Sequence, residues 1–130
     1  MAGFSDYLED KVLKHVFGGS AYTAPGTLHV ALYTVAPTDT GGGTEVSGGG
    51  YARQTAAFTV SGTNPTQASN TSAIEYPTAT SAYGTVVAVG IFDASSSGNL
   101  LAYANLTSSK VVSTGDVFRF NAGDLDITLA

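Results

Sequence analysis

The chain has 130 residues, no cysteine and a formal charge of −5, from five Lys and Arg against ten Asp and Glu; this is the length of one ordinary domain with one core. Five scattered cations cannot displace the counterions along a run of phosphates, which argues against nucleic acid, and an acidic chain with no apolar run of about 18 residues argues against a membrane. Without cysteine there are no disulfides or thiolate metal sites, and a charged fraction of 12 % amid abundant Ser, Thr, Gly and Ala makes a bland surface that suits assembly.

At the N-terminus, Met1-Ala-Gly-Phe-Ser lacks the basic head and apolar segment of a secretory signal. Residues 5–17 then predict the one helix. Phe4, Tyr7, Leu8, Val12, Leu13, Val16 and Phe17 follow a 3.6-residue period, with Asp6, Glu9, Asp10 and Lys14 on the other side. Ser5 suits the N-cap, Asp6 and Glu9 lie where the helix dipole favours anions, and Gly18-Gly19 supplies a left-handed stop. The apolar face is expected to be buried, either on the protein's own sheet or on another subunit.

After a turn containing Pro25, residues 27–34 alternate Leu28, Val30 and Leu32 against His29, Ala31 and Tyr33, the pattern of a strand with one face in the core. His29 falls on the less apolar side, where a lone imidazole reads as a surface or interface residue; His15 lies on the helix flank. Residues 35–50 hold six glycines with Pro37 and Asp39. They lack the Lys and Ser/Thr of a phosphate-binding loop and the strand-to-helix context of a dinucleotide fingerprint. What remains is a flexible surface loop or a segment that orders against a neighbour, and so long a loop in a small domain favours the second.

Strands are predicted over 51–60, 72–76, 85–93, 99–106, 110–113, 117–120 and 125–129, with 61–71 a turn-rich connection. The apolar run 85–93 is the central strand, with Gly90 marking a bulge or close approach, and 93–99 a hairpin loop. Short strands at spacings near ten residues predict a mainly β fold. We expect one domain over 1–130: an antiparallel β-sandwich or jelly-roll-like body over about 27–130 with one N-terminal amphipathic helix.

No serine sits in a nucleophile elbow, and Asp124 with Asp126 read as solvated acids on a strand face, without calcium-loop spacing. The expectation is therefore no catalytic residue, no metal and no cofactor. Tyr22, Tyr51, Tyr76 and Tyr83 at loop edges read mostly as rim or interface residues, with glycan stacking as the minor alternative.

The order helix, GG-x-AYTAP, VALYT strand, PTDTGGGTEVSGGG loop and YARQ, with VGIFDASSSGNLLAYANL and GDVFRFNAGDLDITL further on, resembles a family of small bacteriophage virion structural proteins, often labelled tail fibre or minor structural proteins. The resemblance covers nearly the whole chain. It implies a non-enzymatic particle component, synthesised in the bacterial host cytoplasm and carried in the virion, in a tail fibre or baseplate or as capsid decoration (cement). The implied partners are other virion proteins and further copies of the chain, with a trimer favoured; the alternative is a host-receptor or glycan-binding module at the tail tip. The candidate assembly interface comprises Phe4, Tyr7, Leu8, Val12, Val16, Phe17 and Tyr22 around the helix, with Thr44, Glu45, Val46, Tyr51 and Arg53 in and after the loop.

Overall fold

The computed structural model describes residues 2–129; Met1 and Ala130, the ends of the predicted domain, lie outside the described residues. One helix, α1 (Asp6–Val16), follows a short strand β1 (Ala2–Phe4), and the rest is antiparallel β structure. The largest sheet takes the order β1, β9 (Leu100–Val112), β8 (Gly84–Phe92), β2 (Leu28–Val35) and β3 (Thr44–Glu45), with β4 (Gln54–Ala56) on the other stretch of the same β2 edge. A second sheet joins β11 (Asp126–Leu129), β6 (Thr66–Asn70) and β5 (Phe58–Ser61), and a two-stranded ladder joins β10 (Arg119–Phe120) to β7 (Ile74–Glu75).

The main core lies between the large sheet and these two smaller ones. Val30, Leu32, Val89, Ile91 and Ala102 come from the large sheet, and Ile74, Phe118, Phe120 and Leu125 from the opposing layer. Tyr76 is buried at the centre, stacked on Tyr51 at 6.0 Å and meeting Phe118 edge-on at 5.9 Å. Its hydroxyl donates to the Val30 carbonyl at 2.8 Å, so the polar end of the ring is satisfied inside the core. The mainly β prediction with one N-terminal helix therefore describes the protein.

Several local expectations are corrected. Residues 30–33 are all buried, because β2 is central and its second face also packs: Ala31 and Tyr33 join Ala88, Phe92 and Leu100 in a smaller cluster. Gly90 sits beneath this cluster, where a Cβ would fall 2.9 Å from both Leu100 Cδ1 and Tyr33 Cε1. The predicted 51–60 strand breaks at Ala57, with β4 pairing to β2 and β5 to β6, so the chain changes sheets there. Thr71 bonds to the Ala57 carbonyl through both its amide and its hydroxyl. The 61–71 connection contains β6, and the strand at 110–113 continues β9 past an irregularity in its pairing with β8.

The helix begins and ends as its local chemistry directs. Ser5 accepts from the Leu8 amide at 3.2 Å and donates to the Leu100 carbonyl, which ties the cap to the sheet. At the other end Gly18 donates to the Lys14 carbonyl, and Gly19 takes a positive φ of 68°.

Candidate assembly surface

No residue of α1 is buried. Tyr7, Leu8 and Lys11 turn partly toward the body, which leaves the opposite face, with most of the apolar side chains, in solvent. Val12 is 36 % exposed, Leu13 58 %, Val16 59 % and Phe17 82 %. These four positions form a stripe at i, i+1, i+4 and i+5, and apolar area left in water carries about 25 cal/mol per Å² that a covering partner recovers. Of the two partners expected for the apolar face, the protein's own sheet covers only part of it. The first turn is tied to the sheet and to the Asp39 turn through Ser5 and Asp6, and the apolar side chains of the last turn are exposed. Leu13 belongs to this surface although it stands outside the interface predicted from sequence; the helical period already marks it.

Phe4 is half-buried against the main core, and Tyr7 meets Tyr22 edge-on at 6.5 Å. The Tyr22 amide donates to His15 Nδ1 at 3.0 Å, so the 18–27 connection folds back along the helix and His15 has a structural partner. Lys14 pairs with Asp10 one turn earlier at 3.0 Å, an exposed contact of small energetic weight. Phe4, Tyr7, Leu8, Val12, Val16, Phe17 and Tyr22 are therefore brought to one region, with exposure concentrated toward the helix's C-terminal end.

The loop half of the predicted interface behaves differently. Val46 is buried in the main core and its amide donates to the Leu32 carbonyl at 2.9 Å. Tyr51 donates to Glu45 Oε2 at 2.7 Å while accepting from the Leu32 amide at 2.9 Å. Arg53 grips Glu45 through Nε and Nη2, sends Nη1 to the carbonyls of Ala94 and Ser97, and lies 3.8 Å from the centre of the Phe92 ring. The loop that was expected to order against a neighbour orders against its own chain, since a buried apolar side chain and a satisfied ion pair fix it there. Gly43 permits the approach, with φ of 73° and a position where a Cβ would fall 2.5 Å from the Val35 carbonyl oxygen. Thr44 alone of the five loop positions is exposed.

Electrostatics follow the same pattern. Burial raises the Glu45 carboxyl, but hydrogen bonds from Arg53 and Tyr51 and the Arg53 charge outweigh it and hold it below its ordinary value. The Arg53 guanidinium is raised, first by its bond to Glu45. Tyr51 is pushed well above the phenol range by burial, and Tyr33 up to about 12 by burial and the neighbouring Glu45 charge.

The tyrosines that carried the glycan alternative are mostly internal. Tyr76 and Tyr83 are buried, Tyr51 is half-buried in the core stack, and Tyr22 packs on Tyr7. Their reading as rim residues is corrected for Tyr76 and Tyr83. Asp124 accepts from the Asn121 amide at 2.8 Å and Asp126 from the Ser69 hydroxyl at 2.5 Å, so both carboxylates have structural partners at the edge of an open cleft of about 870 Å³. His29 lies on β2 between Thr55 and Phe92. Among the described residues no group of three or more His, Asp or Glu side chains converges as a metal site, and no helix is long and apolar enough to cross a membrane.

A family model described as podophage GP4 fiber I protein gp80 matches residues 3–128. No curated protein matches the chain.

Proposed function

The chain belongs to the podophage GP4 fiber I protein gp80 family, a family of phage fibre structural proteins and hence virion components, and on that premise we propose that it is a non-enzymatic subunit that assembles through its helix. The observation that carries this reading is the stripe of Leu13, Val16 and Phe17, each more than half exposed on one helix end; Val35, Val60 and Val111 are also more than half exposed but stand singly on three separate strands. A helix end that contributes little to its own core is suited to entering a groove on a neighbour.

The partners are other virion proteins and further copies of this chain, in a symmetric homo-oligomer of which a trimer is the favoured form. The fibre description of the family supports a place in the fibre rather than capsid decoration. A host-surface glycan has less support, because the tyrosines that suggested it are engaged within the subunit. Sedimentation of the purified chain over a wide concentration range tests self-assembly: concentration-dependent growth to a defined oligomer, abolished by Leu13→Gln with Phe17→Ser, is expected. A wild-type chain that stays monomeric throughout removes the homo-oligomer from the proposal.

A further inference from the structure

The open cleft of about 870 Å³ lies between the later part of β9 and the opposing layer. It is lined by buried side chains of the main core, Ile91 and Val112 from the large sheet and Phe118 and Leu125 from across it. Val111 and Val117 line it too, at 70 % and 47 % exposure. On the reading of the helix as an assembly surface, we infer that this cleft receives the end of α1 from a second copy of the chain, so that Leu13, Val16 and Phe17 of one subunit cover Val111 and Val117 of the next.

Two observations match these surfaces to each other. Among the described residues, the exposed large apolar side chains gather in two places, the helix stripe and this cleft, with Val35 and Val60 elsewhere. Within one subunit the two stay apart, since no residue of α1 lines the cleft. Charge is the second. From residue 11 to residue 38 the chain has two lysines, Lys11 and Lys14, and no acid, so the stripe stands beside positive charge. The cleft carries Asp116, Asp124 and Asp126, which accept from the Ser113 amide, the Asn121 amide and the Ser69 hydroxyl, all neutral donors. Of the two cations in its lining, Arg119 is paired with Glu75, which leaves Lys110 against three carboxylates. Opposite charge around an apolar contact fixes its register.

An amphipathic helix laid in an apolar groove is a common mode of recognition. Because helix end and cleft are different surfaces, the contact is head-to-tail: each subunit gives one helix and receives another. Repetition of such a contact closes a ring or extends a filament, whereas pairing of two helix stripes about a two-fold axis stops at a dimer. A closed ring of three is the favoured trimer.

The test is complementation between two variants in sedimentation, Leu13→Gln with Phe17→Ser for the helix and Val111→Lys with Val117→Lys for the cleft. Every changed side chain is at least 47 % exposed, so both variants should melt with wild type. Each alone should be monomeric where wild type assembles, and an equimolar mixture should form a one-to-one dimer through its one intact helix and one intact cleft. The chain has no cysteine, so the contact can also be trapped without these variants: mild oxidation of Phe17→Cys chains mixed with Val117→Cys chains should give the mixed disulfide and little of either homodimer. A cleft variant that assembles like wild type, or a trapped product that is mainly the Phe17→Cys homodimer, overturns the inference and leaves the helix as the assembly surface. A helix variant that assembles like wild type, or a wild-type chain that stays monomeric, overturns the inference together with self-assembly through the helix.

Discussion

Arg53 holds Glu45 by two parallel contacts, Nε to Oε2 and Nη2 to Oε1, both at 2.9 Å. The same guanidinium reaches the carbonyls of Ala94 at 3.0 Å and Ser97 at 2.9 Å. One side chain thus joins the glycine-rich loop, the segment after it and the β8–β9 hairpin. With the Arg53 side chain 8 % exposed and that of Glu45 26 %, removing the carboxylate leaves a largely buried cation without its counter-charge. Glu45→Gln should therefore cost about 2 kcal/mol in urea unfolding.

The pair also sets an acid response. Glu45 is depressed below its ordinary value of 4.5 in the folded chain. A carboxyl lowered on folding contributes stability that is present above its unfolded pKa and is lost as pH falls through the folded one. Across a pH series, the stability difference between wild type and Glu45→Gln should hold steady at neutral pH and shrink as pH falls below 4.5. A difference that stays constant into the acid range would show that the carboxylate charge is not what the pair contributes.

Gly90 is a packing constraint. A methyl there meets Leu100 Cδ1 and Tyr33 Cε1 at 2.9 Å and Phe92 Cε1 at 3.3 Å, on a face already filled by these side chains. Gly90→Ala should destabilise by about 1–3 kcal/mol through overpacking. Gly26→Ala, where nothing lies within 4 Å, is the matched control and should change stability by less than about 0.5 kcal/mol. Equal melting temperatures for the two variants would contradict this account of the second face.

Ser5 combines two roles, capping the Leu8 amide and donating to the Leu100 carbonyl from a position 2 % exposed. Ser5→Ala should cost about 1–2 kcal/mol and raise amide exchange across the first turn of α1. Ser5→Thr, which keeps the oxygen, should recover part of it; exchange unaltered in Ser5→Ala would show the helix to be held by other contacts.

What could be read from the chain alone divides along physical lines. The cap at Ser5, the stop at Gly19 and the hairpin at Asp93 to Asn99 are set by neighbours a few residues away, so composition and spacing reveal them. Tyr76 and Tyr83 looked like rim residues because each stands beside a turn. The Tyr76 hydroxyl donates to the Val30 carbonyl, 46 positions away, and the Tyr83 amide to the Val112 carbonyl, partners fixed by the tertiary fold. Glu45 and Arg53 read from sequence as interface residues; they pair with each other within the subunit, and the further acceptors at Ala94 and Ser97 lie more than 40 positions from Arg53. The helix pattern was correct in phase and misleading in outcome: periodicity locates an apolar stripe and does not say what covers it. Strand β6 was hidden because Thr66 to Asn70 has no apolar alternation and is held through its pairing with β5 and β11.

The central claim, that the exposed apolar stripe at the end of α1 is an assembly surface, is tested most directly by particle incorporation. Phage would be produced with the chain carrying Leu13→Gln and Phe17→Ser, and its copy number in purified virions measured against wild type by quantitative mass spectrometry. Because both side chains are more than half exposed, the variant should fold and unfold like wild type, within about 0.5 kcal/mol, yet be depleted from the particles. Incorporation at the wild-type copy number would contradict the claim.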